Sequence, residues 1–212
     1  MSTGITQSKM EKALEFAYDK AINGVIGLDS AEELAKSYQK KSGCVYTQCN
    51  SLIRWQNTKA GTSGFVSGLG GILLMPVTLP ANITSVLYLQ LRMIGSIAHL
   101  AGYDLKDDKV KTMIYVCLVG NSANEILKNA GIEVSKKVAT NTIKNISGKT
   151  LLDINKKVGF RLVTKFGEKG VINLGKAIPL LGGVIGGTFD VIATNMIGNK
   201  ARDIFIGKEK IA

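Results

Sequence analysis

Between Ala60 and Leu91 this chain carries no charged side chain over 32 consecutive residues. A stretch that apolar must be enclosed by protein or face lipid, and about 20 apolar residues suffice to cross a bilayer. Its first two-thirds, however, hold Gly61, Gly64, Gly68, Gly70, Gly71, Pro76 and Pro80. Gly and Pro cost about 1 and 3 kcal/mol inside a helix. A second charge-free run, Ala177 to Phe189, has 13 residues and carries Pro179 with two Gly-Gly pairs, too short to span alone. Two broken, small-residue-rich segments predict an all-α, single-domain helical bundle with both segments packed at its centre. An integral membrane or pore-forming, toxin-like protein is the alternative fate for such runs.

Charge is distributed as unevenly as hydropathy. The 212 residues hold 27 Lys plus Arg against 16 Asp plus Glu, a net charge of +11. Residues 106–176 alone contribute fourteen basic and six acidic side chains, net +8, whereas residues 60–105 hold only Arg92 and Asp104. Hydrophobic content of 45% with 20% charged residues excludes a disordered chain. Cys44, Cys49 and Cys117 are odd in number, lack zinc spacing, and read as free thiols of a reducing compartment. No apolar h-region precedes Glu11, so no secretory signal peptide is expected.

Helical signals run along the chain. Ser8-x-x-Glu11 and Ser30-x-x-Glu33 read as capping boxes, the first opening a helix to about Asn23 and the second a short helix ending at Ser42-Gly43. A third helix starts near Cys44. A fourth follows Pro80 and runs to Gly102, well placed as a C-cap. A fifth starts at Asp107 or Asp108 and reaches about Asn129, before Gly131. Residues 132–147 and 149–168 read as two basic amphipathic helices, the second with Leu151, Ile154, Val158, Leu162 and Phe166 on one stripe. A last helix runs through Asp190, Ala193, Ile197, Ala201 and Phe205. Residues 1–59 form N-terminal helices and residues 60–207 the main core, within one compact domain.

Catalytic and cofactor signatures are absent. Gly68-x-Gly70 would need glycine where Leu73 stands, and Gly148-Lys149-Thr150 would need it at Ile143. One histidine, His99, and scattered cysteines supply neither a metal site nor a recognisable triad. The expectation is a non-enzymatic protein with no catalytic residue, metal or cofactor. The most informative local pattern is on the fourth helix, where Ser85, Tyr88, Arg92, Ser96, His99 and Tyr103 recur at steps of three and four. Turned outward, this seam makes Arg92 a solvated charge. Turned inward, it makes a buried polar group of Arg92 and His99 in which the guanidinium needs a carboxylate. Asp190 is the favoured partner and Glu125 the other candidate.

Nucleic acid is not the expected partner of the basic region, which offers only Tyr115, Phe160 and Phe166 as stacking platforms. Anionic lipid fits better, because each Lys or Arg near such a surface contributes about 1 kcal/mol and attachment usually needs a second, apolar signal. The lipid-facing set is Lys136, Lys137, Lys144, Lys149, Lys156, Lys157, Arg161, Lys165 and Lys169. These residues, with an apolar Gly-rich element, predict binding to a membrane surface or a lipid from the cytoplasmic side, peripheral to the inner membrane face. An adaptor docking on an integral membrane transporter is the runner-up.

Four blocks carry a family resemblance. They are Gly64-Phe-Val-Ser-Gly-Leu-Gly-Gly71 running on to Pro76 and Pro80, the stretch Leu91–Asp104, the stretch Val158–Gly170, and Asn173-Leu-Gly-Lys-Ala-Ile-Pro-Leu-Leu-Gly-Gly-Val-Ile-Gly-Gly-Thr-Phe-Asp190. Together, over roughly residues 60–205, they resemble the EcsC protein family. The family takes its name from a product encoded beside an ABC transporter linked to protein secretion. The resemblance implies a membrane-related context but no reaction. The family's recurring polar positions fall on Arg92, His99, Asp104, Arg161, Lys165 and Asp190, without defined roles.

Overall fold

The computed structural model describes residues 5–60, 81–133, 138, 140–167 and 185–207. Nine α-helices are found among them: α1 (Gln7–Asn23), α2 (Ala31–Gln39), α3 (Val45–Ala60), α4 (Ala81–Leu100), α5 (Asp108–Leu118), α6 (Ala123–Asn129), α7 (Thr140–Lys144), α8 (Gly148–Phe166) and α9 (Ile185–Phe205). No strand occurs among the described residues, and the fold is all-α. The Gly-rich stretch 61–80 and most of the second charge-free run lie outside the described residues, as does their expected packing at the centre.

Helix ends follow local chemistry. The Ser30 hydroxyl accepts from the Glu33 N–H, and the Glu33 carboxylate accepts from the Ser30 N–H, closing the expected capping box. That N–H also holds the Glu33 carboxyl below its usual range. The other expected box does not form. Thr6, not Ser8, caps α1 by accepting from Lys9 N–H, so the helix begins at Gln7 and Glu11 instead accepts from the Gln7 amide. Gly102 sits at φ +83° beyond α4, with Tyr103 N–H bonded to Ala98 O and Gly102 N–H to His99 O. That is a Schellman closure, as the sequence predicts.

Two predicted helices are shorter in the fold. Gly120, at φ +56°, breaks the segment expected to run from Asp108 to Asn129, and a 3-10 turn at Gly120–Ser122 leads into α6. A Cβ at Gly120 would stand 2.8 Å from Met196 Cε, so the break also admits α9. Of the basic helix expected over 132–147, the described residues show α7, five residues long. Ile132 and Glu133 are not helical, and Ser147 caps α8 by accepting from Thr150 N–H.

α4 occupies the middle of the molecule, packed against α1, α2, α3, α5 and α9. Leu87, Leu91, Met93, Ile94 and Ile97 on it are fully buried. α8 lies over α1, α5 and α6, while α3 packs on α2, α4 and α9. The N-terminal helices therefore share one core with the rest.

Candidate functional site

α8 is amphipathic, and its inner stripe anchors it. Ile154, Val158, Gly159 and Leu162 are buried. Gly159 lets α1 come close, with Gln7 and Glu11 side-chain atoms 3.6 Å from where its Cβ would be. The Gln7 amide adds a hydrogen bond to the Lys156 carbonyl at 3.4 Å.

The outer face of α8 breaks the usual rule for a surface helix. Leu152 is 72% and Phe160 62% exposed, and with Lys156 they follow one another at steps of four. Lys149, one turn before Leu152, and Lys157 are also exposed on this side. Single exposed apolar residues are ordinary. Here two large ones are interleaved with three ammonium groups on one helix face. The predicted stripe does not contain Leu152 or Phe160, although their eight-residue spacing beside the lysines is a readable signal.

Beside this face, α8, α6 and the first turn of α1 enclose a groove of about 540 Å³. Arg161 closes one wall, its Nη2 donating to both Glu125 carboxylate oxygens at 3.2 and 3.0 Å. Lys156, Lys157 and Asp153 also line it.

The remaining predicted cations do not all join this face. Lys144 is exposed at the end of α7, where its carbonyl accepts from the Lys109 ammonium. Lys165 turns toward the core, with its ammonium 3.5 Å from Leu118 O and 5.2 Å from the Phe166 ring centre. Lys136, Lys137 and Lys169 lie outside the described residues.

The polar seam of α4 faces protein. Ser85, Tyr88 and Ser96 are fully buried, and Arg92 is 3% exposed. Arg92 Nη1 donates to the Asp29 carbonyl at 3.1 Å, its guanidinium carbon lies 5.8 Å from the Tyr88 ring centre, and its Nε has no hydrogen-bond partner among the described residues. The Ser96 hydroxyl stands 2.8 Å from both the Ala31 and the Arg92 carbonyl oxygens. Burial pushes the Tyr88 hydroxyl above its ordinary range. His99 is only partly buried. Glu125 is paired with Arg161, not with Arg92. The Asp190 side chain lies outside the described residues.

Among the thiols, Cys49 and Cys117 are buried and Cys44 is exposed. Burial pushes the Cys49 thiol up to about 12, whereas hydrogen bonds from Thr47 hold Cys44 below its usual range. Among the described residues, no group of three His, Cys, Asp or Glu could hold a metal ion, and no helix is long and apolar enough to cross a membrane.

The family model of the EcsC protein family matches residues 5–206, so the match takes in α1 to α3 as well as the 60–205 stretch read from the sequence. The "Uncharacterized protein YdbA" of Bacillus subtilis (strain 168) is 30% identical over 155 residues, covering 69% of this chain and 54% of that protein. The chain thus spans about half the length of that relative. No solved structure matches it.

Proposed function

This chain belongs to the EcsC protein family, and we propose that it acts by binding rather than by catalysis, attaching peripherally to an anionic membrane surface through the outer face of α8. The observation that carries this reading is the exposure of Leu152 and Phe160 among Lys149, Lys156 and Lys157. Each ammonium near an anionic surface contributes about 1 kcal/mol. Charge alone is screened within roughly 8 Å at physiological salt, so it steers more than it holds. Inserting a Leu or Phe side chain adds about 1.5–3 kcal/mol apiece. The two kinds of contribution together exceed what either gives alone, and a helix lying flat in the interface delivers both at once. In this reading the protein sits on the cytoplasmic face of the inner membrane.

Co-sedimentation with vesicles tests it. The protein is expected to pellet with phosphatidylglycerol-containing vesicles, to stay in the supernatant with phosphatidylcholine alone, and to be released by high salt. Leu152→Ser and Phe160→Ser should each weaken the partition roughly tenfold. Absence from both pellets, or binding indifferent to both substitutions, overturns the reading.

A further inference from the structure

A second groove, of about 600 Å³, lies between α2 and α3, on elements that do not bound α8. Trp55, the only tryptophan of the chain, stands 53% exposed on its wall. Arg54 and Lys41 line the groove and are exposed, and Tyr38 lies buried at its floor. The Lys41 ammonium sits 3.9 Å above the centre of the Tyr38 ring. A cation over an aromatic face is attracted by the ring quadrupole, which favours this charge over the floor. Asp29 marks the other end.

Both ends of α2 are pinned from within. At its start, buried Arg92 donates to the Asp29 carbonyl. Past its end, the amide of buried Gln48 lies 2.9–3.4 Å from the carbonyls of Gln39, Lys41 and Gly43, tying the α2–α3 turn together. The groove is therefore preformed, and a ligand entering it loses little to ordering the protein.

We infer that this groove docks an extended acidic peptide segment of a partner protein, with an apolar side chain laid on the Trp55 indole and carboxylates answered by Lys41 and Arg54. The charges favour a peptide over a phosphate. Phosphate sites gather convergent donors, whereas here Lys41 stands in the α2–α3 turn and Arg54 on α3, apart from one another and flanking an aromatic surface. The Ser37 and Thr58 hydroxyls donate to carbonyls of their own helices. Asp29 would repel a phosphate and can accept from a peptide N–H. An alternating acidic and apolar segment matches this layout.

The single tryptophan makes the test direct. Full-length protein is titrated with a synthetic peptide of alternating glutamate and leucine, and Trp55 emission is followed. The expected result is a saturable blue shift that weakens with salt. The Arg54→Glu variant should bind about tenfold more weakly, as a rim charge placed against like charge costs more than 1 kcal/mol. Lys41→Glu should behave alike, with circular dichroism confirming its fold. An equal shift with an alternating lysine and leucine peptide, no shift with either, or indifference to Arg54→Glu overturns the inference. So does a response to glycerol phosphate in place of the peptide, which would make the groove a headgroup site. None of these outcomes depends on α8.

Discussion

Arg92 shows how spacing can place a residue on a seam and still leave its orientation and its partner open. Its four-residue spacing from both Tyr88 and Ser96 puts it on one seam, and the seam faces inward. Among the described residues it meets a backbone carbonyl, that of Asp29, and its Nε finds no hydrogen-bond partner. Nothing local to α4 forecasts that contact, because Asp29 lies 63 residues away. If the guanidinium serves mainly to hold α2, a residue of similar length should largely replace it in the core. Arg92→Met is then expected to cost about 1 kcal/mol or less, whereas Arg92→Ala, which also opens a cavity, costs about 3 kcal/mol. Urea unfolding measures both. A loss for Met as large as that for Ala would mean that the guanidinium answers a buried carboxylate, as the sequence expects of Asp190.

Among the elements, the boundaries set by adjacent residues were legible and those set by tertiary neighbours were not. The Ser30 box, the Asp107 cap of α5 and the Gly102 closure each involve residues within five positions, so the pattern carries the geometry. The Ser8 box failed because a competing cap two residues earlier opened the helix sooner. That correction has a measurable consequence. Thr6→Ala should destabilise the protein by about 1 kcal/mol, while Ser8→Ala, exposed and inside the first turn, should stay within about 0.5 kcal/mol of the parent. Thermal unfolding of the two variants checks the order, and a larger loss at Ser8 would restore the box. On α8 the inner stripe was legible from its period, but the exposure of Leu152 and Phe160 depended on which neighbours flank the helix. α1, α5 and α6 cover the Val158 side and leave the opposite side bare.

At the scale of the whole molecule, close approach of helices decides how the core shuts. Gly198 on α9 faces Ile53 on α3, and a Cβ there would stand 2.9 Å from Ile53 Cγ1. Gly198→Val is expected to cost about 1–3 kcal/mol through overpacking. By contrast Gly148→Ala, with open space around the added carbon, should stabilise by about 0.4–1 kcal/mol. Denaturant midpoints moving the same way for both would contradict this account of the α3–α9 contact. Composition and period by themselves determined that the chain is helical, that a glycine-rich apolar stretch adjoins a cationic one, and which residues line the inner face of α8. Only the folded molecule decided that the cations divide, with Lys149, Lys156 and Lys157 bare, Arg161 bound to Glu125 and Lys165 turned inward. It also decided that Trp55 and Lys41 meet across a groove. Local patterns encode backbone conformation, because that is set within a turn or two of chain. Exposure and charge pairing are set by neighbours distant in sequence, and only packing assigns those.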